Sequence, residues 1–497
     1  LGPKGRNVAL TSWANPKITN DGSSVIDEVE LKDDFEDVGA RLAKEAATKI
    51  KQLCGDGTTT GVVILRSIVN EGLKHIVAGV SEIHIKRGLE KALNLVLEEI
   101  DQISTKISSD EDIKNIATVS ASGDAKIGSD ILTSFKKAKT ISSITIEDGQ
   151  KNETEIEKKD GMEIERGYLS PYFCTDAKKM IVEMSNPKIL ITDKKINSIQ
   201  DILPLLQTAA STSKELLIIA DEIDSNTLAT LVVNNLKQTL KVAAIKTPGF
   251  GDQKKDLLED LAHLTGATYI TKDKGLVLKD ATFEDLGSSE KLVIAKDKTI
   301  FIGANGKFLQ KRIDQLENEK QNLEEKHEIE RLNKRIAKLT GGIVVIKVGA
   351  ATETDLKEKK QKYEDSLNAT KAAIAHGVVP GGGIALLRAS MQLDKFSYSK
   401  EEKTGAMILK KAALAPIKQI ISNAALDYHL ILEELLKKDK NFGFNVLSEK
   451  IEDFLKSGII DPVKVVKTAL IHAVSSAKII LLTDAIVADA KDEKEKK

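Results

Sequence analysis

The sequence predicts a multidomain α and α/β protein, with a helical domain built from both chain ends and an α/β domain inserted between them. Three observations carry this. Helical periodicity fills residues 34–102 and returns after Pro380. The middle holds short apolar runs, 189–192, 216–220 and 242–245, separated by helical patterns, as buried strands of a parallel sheet would be. Glycine-rich loops suited to holding a ligand occur near both ends, at 55–61 and 381–383. A chain of 497 residues also exceeds one ordinary core.

Taken in order, residues 1–22 read as a Gly/Pro loop, a strand at 7–10 and a turn at Asn20-Asp21-Gly22. Asp21 either faces a ligand there or simply serves the turn. Next come helices with apolar residues at Val38, Leu42 and Ala46, then at Leu89, Leu93, Val96 and Ile100. Between them lies Cys54-Gly55-Asp56-Gly57-Thr58-Thr59-Thr60-Gly61, a tight loop opening a helix. Its glycines admit a close ligand, and the first N–H groups of the helix attract anions, phosphate above all. Asp56 would repel a bare phosphate but suits one carried by Mg2+. The loop is not a Walker motif, because no Gly-Lys-Ser/Thr closes it. An ordinary helix cap is the competing reading.

Residues 104–159 are mixed, with a strand-like run at 141–146. In the α/β region two helices carry apolar stripes. One holds Ile199, Leu203 and Leu206; the other holds Leu228, Leu231, Val232 and Val233. Such stripes are normally core, and otherwise an exposed groove for apolar partners. The seam through Leu309, Ile313, Leu316 and Leu323 changes phase to Leu332, Ile336 and Leu339, which predicts a helical hairpin broken at 322–327. A strand at 343–346, a charged helix at 355–376, the triple glycine and further helices to 463–478 complete the chain. The charged tail 491–497 reads as disordered. Gly161 and Gly341-Gly342 mark the expected domain crossings, as hinges or plain breakers.

The bulk numbers exclude several classes. Net charge is −1 and aromatics are 4%, so neither an electrostatic footprint nor a stacking platform for nucleic acid is present. No apolar run of membrane-spanning length is read. The two cysteines form no C-x-x-C, and the seven histidines show no ligand spacing. Because the chain opens inside a loop motif without methionine, further residues are expected upstream, any targeting segment among them.

Several motifs occur in a telling order: 1–8 (Leu-Gly-Pro-Lys-Gly-Arg-Asn-Val), Asn-Asp-Gly, Gly-Asp-Gly-Thr-Thr-Thr, 166–173 (Arg-Gly-Tyr-Leu-Ser-Pro-Tyr-Phe), 247–251 (Thr-Pro-Gly-Phe-Gly), 348–353 (Val-Gly-Ala-Ala-Thr-Glu), 364–370 (Glu-Asp-Ser-Leu-Asn-Ala-Thr) and Pro-Gly-Gly-Gly. In this the chain resembles the group I chaperonins over nearly its whole length. The resemblance implies a three-domain subunit: equatorial at 1–103 and 376–497, intermediate at 104–159 and 344–375, apical at 160–343. It implies ATP-driven folding of other proteins, with Mg2+ and K+ as cofactors. Asp56 would be the Mg2+ ligand. Leu1, Gly2, Pro3, Asn20, Gly57, Thr58, Thr59, Thr60, Gly382, Asn445 and Asp461 would line the nucleotide. Asp365 would orient or deprotonate the attacking water, helped by Asp21. Tyr168, Tyr172, Phe173, Leu203, Leu206, Leu228, Val232 and Val233 would bind unfolded chains and a co-chaperonin lid of single or tandem type. Self-assembly into seven-membered rings, stacked as a double ring, is implied, with no nucleic-acid or membrane partner.

Some positions depart from the family pattern. Asn20 stands where a lysine is usual, and Val446-Leu447 replace two alanines beside Asn445. The segments at 18–22, 175–180, 459–462 and 475–478 look closest to plastid-type members, which implies a plastid-type organelle, with the mitochondrial matrix or bacterial cytoplasm as alternatives. The departures keep a second hypothesis open, a chaperonin-like binding or scaffold protein with weakened turnover. A conventional kinase or ATPase is disfavoured by the missing Walker motif.

Overall fold

The computed structural model describes residues 1–487 except 11–16, 20, 108, 122, 139–142, 178, 250, 305, 307, 322 and 324. The nucleotide residue expected at Asn20, the start of the 141–146 run and the tail 491–497 therefore lie outside the described residues. The chain forms two compact units, residues 1–132 with 357–497, and residues 133–356.

The first unit is helical, as both chain ends predict. Its N-terminal part holds α1 (Gly22–Asp27), α2 (Asp34–Cys54), α3 (Thr58–Val77), α4 (Glu82–Ile103), α5 (Asp110–Ser120) and the start of α6 (Ala125–Lys137). Sequence explains several of the ends. Asp21 caps α1 by accepting from the Ser23 and Ser24 N–H groups, and Asp33 caps α2 in the same way. Ser109 and Asp112 form a capping box on α5. A short antiparallel hairpin, Val8–Leu10 with Lys17–Thr19, precedes α1.

The second unit carries α7 (Leu203–Ser211), α8 (Ser225–Leu236), α9 (Gly251–Thr265), α10 (Leu309–Gln321) and α11 (Lys326–Gly341). The last two are the hairpin that the phase change predicts. The runs read as strands are Lys188–Thr192, Leu216–Ala220 and Val242–Lys246. All three are parallel neighbours, joined on the far side of the first by Tyr269–Ile270. Beyond that sheet's carboxyl end, Asp193 accepts from the Tyr269 hydroxyl at 3.0 Å and the Thr271 hydroxyl at 2.7 Å, and the Thr192 hydroxyl donates to the Ile270 carbonyl.

A charged clamp fastens the hairpin to α9. Asp260, 2% exposed, accepts two hydrogen bonds from Arg335 at 2.8 Å and one from Arg312 at 3.1 Å. Arg331 pairs with Asp256, and Arg312 also reaches Glu259 at 3.0 Å.

The unit boundaries fall outside the Gly161 and Gly341-Gly342 neighbourhoods. The physical reason is a shared apolar layer: Ile343–Val348 pairs with Ile144–Asp148 and Glu155–Lys159, while Ile343 and Val345 pack with Ile300 and Ile302 of the neighbouring sheet. Helix α12 (Glu353–His376) then leads back into the first unit. It is followed by α13 (Ile384–Met391), α14 (Glu402–Ala413), α15 (Ala415–Asn423), α16 (Tyr428–Leu436) and α17 (Val463–Leu482).

Helix α17 corrects the sequence reading, for it is long and apolar enough to cross a membrane by length and composition. Its Ala469, Leu470, Ala473, Val474 and Ala477 are fully buried in a core shared with α3, α4 and α14, which accounts for its apolar character. In that core α4 and α14 meet backbone to backbone. A Cβ on Gly88 would lie 2.1 Å from the Glu402 carbonyl oxygen. We expect Gly88→Ala to cost about 1–3 kcal/mol by forcing the helices apart, read as a lowered denaturant midpoint. An unchanged midpoint would mean that the helices separate freely.

Candidate functional site

The phosphate-type loop lies in the first unit, and its shape is set by glycine. Gly57 caps α3 with φ 87°, and a Cβ there would strike Val465 at 2.7 Å. No side chain caps the helix, and its first turn carries no acidic residue. The N-terminal end of a twenty-residue helix is thus left open to an anion. Two further contacts bring distant stretches to this loop. A Cβ on Gly22 would lie 1.9 Å from the Thr59 hydroxyl, and one on Gly55 would lie 2.7 Å from Asn368 of α12.

Four carboxylates from separate stretches gather around this end, close enough for their charges to interact. Asp56 is raised from the ordinary carboxylate value, by burial first and by the charge of Asp21 as well. Hydrogen bonds from the Gly57 N–H (2.6 Å) and from Ser120 oppose this. Asp365 is pushed up to about 8, by burial and then by Asp56 and Asp21, against the pull of Gln361 and Lys51. Asp461 is pushed up to about 7 by burial and by Asp56, despite a hydrogen bond from the Gly382 N–H. Asp21 goes the other way. Burial acts to raise it, but hydrogen bonds from Ser23 and Ser24 and the charge of Lys51 hold it low.

This donor set fits a Mg-nucleotide: uncapped N–H groups for phosphate, beside excess negative charge that a divalent cation would relieve. Among the described residues no three His, Cys, Asp or Glu side chains form a ready metal cage. That is compatible with a cation held partly by the phosphates themselves.

The charge excess has a thermodynamic sign. An unfolded Asp ionises near 3.8, whereas folded Asp365 keeps its proton to about 8. The folded chain therefore binds more protons between those values, and stability falls as pH rises through the window. In the ligand-free protein we expect Asp365→Asn to flatten that fall and raise the melting temperature at pH 8. Thermal melts at pH 5 and pH 8 check it; equal slopes in both proteins would show that Asp365 ionises at no cost.

The remaining residues expected at the nucleotide are placed as follows. Leu1 and Gly2 lie against α15, with the Leu1 carbonyl accepting from Asn423 at 2.9 Å and Gly2 against Ile420, while Pro3 is exposed. Gly382 adjoins Asp461 and Phe454. Asn445 lies in a hairpin, Phe442–Asn445 with Lys450–Asp453, where its amide donates to Glu452 and its oxygen accepts from the Leu447 N–H at 2.9 Å. Val446 points inward at 3% exposure and Leu447 outward at 63%.

The apolar positions of the second unit divide. Tyr172 (64% exposed) and Val233 (46%) are open to solvent. They lie on adjacent elements, with Asn235 of α8 donating to the Tyr172 carbonyl. Tyr168, Leu228 and Val232 are partly buried against the core, and Leu203 is half-buried. Phe173 and Leu206 correct the expectation of a uniformly exposed rim. At 1% and 8% exposure they are core residues that support the patch from beneath, because their helical turns aim them inward. Leu236, 60% exposed and one turn beyond Val232, extends the patch and was not singled out in the sequence. Its spacing of four from Val232 is the signal that identifies it.

The chain matches the TCP-1/cpn60 chaperonin family over residues 1–491. It is 48% identical over 498 residues to chaperonin GroEL 3 of Protochlamydia amoebophila (strain UWE25), a match covering 100% of this chain and 93% of that protein. That relative is bacterial and lends no support to a plastid-type assignment. Matched over nearly its whole length, the protein belongs to the TCP-1/cpn60 chaperonin family.

Proposed function

We propose that this chaperonin is an ATP-driven folding machine, capturing unfolded chains on its apolar patch and releasing them as ATP is bound and hydrolysed. The observation that carries the proposal is the gathering of Asp21, Asp56, Asp365 and Asp461 around the uncapped start of α3. Mg-ATP, when bound, supplies the phosphoryl group and the cation that neutralises charge developing on it. Asp56 would hold the cation, and Thr58, Thr59 and Thr60 the phosphates. Gly382, Asp461 and Asn445 would hold the nucleoside, Asn445 by exchanging its present partners. Asp365, once ionised, would accept a proton from the attacking water, with Asp21 beside it.

Seven-membered rings in a double ring, a co-chaperonin lid, a K+ requirement and a three-domain subunit belong to the same proposal. So does the bacterial cytoplasm, which the bacterial relative favours over the organelle alternatives. Native mass with and without Mg-ATP, together with phosphate release, tests it. Rings that turn over ATP support it, whereas a monomer without turnover favours the scaffold reading.

The apolar patch has its own test. Unfolded chains share exposed apolar surface and little else, so Tyr172 and Val233 would grip them without sequence preference. Replacing both with serine is expected to weaken capture of a denatured client about tenfold or more, given the apolar area lost, with ATP turnover unaltered. Unchanged capture would move the client surface elsewhere.

A further inference from the structure

We infer that Lys51 is a positioning residue for this ATP chemistry: from the last turn of α2 it anchors Ser23, through Ser23 the carboxylate of Asp21, and it supplies positive charge to the acidic cluster. The inference rests on the ATP-hydrolysing reading of the site. The Lys51 ammonium donates to the Ser23 hydroxyl at 2.6 Å, and that hydroxyl donates to Asp21 Oδ2 at 2.6 Å. Ser24 donates to the same oxygen at 2.8 Å. Ser23 is only 4% exposed, so its hydroxyl is held in this relay rather than shared with bulk water.

A lysine in a last turn commonly serves its own helix end. Here the last turn is closed without the ammonium, because the Gly55 N–H donates to the Lys51 carbonyl at 2.8 Å. The side chain instead crosses to Ser23, twenty-eight residues back. Its charge acts on both Asp21 and Asp365, the two carboxylates given the hydrolytic roles. Lys51 therefore favours the ionised, correctly turned form of Asp21 and opposes the mutual repulsion of the cluster. It acts through Ser23 and Asp21 rather than on the reacting atoms.

The test uses the full chain with Lys51→Met, Lys51→Arg and Ser23→Ala, measuring kcat for ATP, the ATP dissociation constant and the melting temperature. Lys51→Met is expected to lower kcat tenfold or more, the scale of a misplaced catalytic group, while ATP affinity changes less than about threefold. Lys51→Arg should recover most of the rate by restoring charge and donor. Ser23→Ala keeps the charge but cuts the relay, and should fall between. Native kcat in folded Lys51→Met, or a loss confined to affinity, overturns the inference. Should Lys51→Met not fold, Ser23→Ala decides, and native kcat there overturns it. Absence of turnover in the native chain overturns the ATP reading together with this one, so the two failures are distinct.

Discussion

Replacing Asp365 with alanine is expected to slow ATP hydrolysis about 10²–10⁴-fold, the range of a positioned proton acceptor, while leaving ATP binding in place. The separation follows from where Asp365 sits. It is on α12 and hydrogen-bonds Gln361 of its own helix at 2.7 Å, whereas the phosphate loop is shaped by Gly57 and the start of α3. Below about pH 8 the free protein carries Asp365 uncharged, so its removal leaves the charge beside Asp56 as it was and affinity for the nucleotide should be retained. In the native protein a base must be ionised to act, and Asp365 holds its proton to about 8 when no cation is present. We therefore expect kcat/KM to rise with pH up to about 8, and this rise to vanish in the alanine variant. Phosphate release and equilibrium ATP binding, each measured across pH, check both points. Native turnover in the variant would remove Asp365 from the chemistry.

The largest effect on stability is expected at Asp260. Alanine there leaves Arg312 and Arg335 in place without the carboxylate that receives both, at side-chain exposures of 13% and 14%. Arg312 keeps Glu259 and Arg335 keeps Asp256, but three charge-assisted hydrogen bonds to a buried carboxylate are lost together, at a cost of about 3–5 kcal/mol. The loss should be local. Amide exchange should quicken first in α10 and α11, which the clamp fastens to α9, with exchange in the first unit unchanged. Protection of α10 and α11 at the native level would show that their apolar seam suffices alone.

Much of this architecture was legible in the sequence because periodicity reports local burial. The strand runs ending at Thr192, Ala220 and Lys246 and the break between α10 and α11 all follow from it. What periodicity cannot report is convergence. By pattern alone Asp365 is one more charge on a charged helix, and only the resemblance marked it. Its nearness to Asp56 and Asp21 depends on contacts such as Gly55 against Asn368, made between residues far apart in the chain. Lys51 was silent for the same reason. The apolar patch failed differently, since the residue types were read correctly but not their aim. Phe173 turns into the core beside the exposed Tyr172, and one residue of offset on a helical turn decides which.

The parallel sheet of the second unit runs outward in both directions from Lys188–Thr192, its second and fourth chain neighbours lying on opposite sides. Sheets of this kind open a crevice where the order reverses, at the carboxyl ends of the strands, and small molecules habitually settle there. Asp193, accepting from the Tyr269 and Thr271 hydroxyls, ties the ends of the neighbouring strands Lys188–Thr192 and Tyr269–Ile270 together across that mouth. The mouth that such sheets leave open is thereby bridged by the chain's own side chains, which leaves less room there for a bound small molecule.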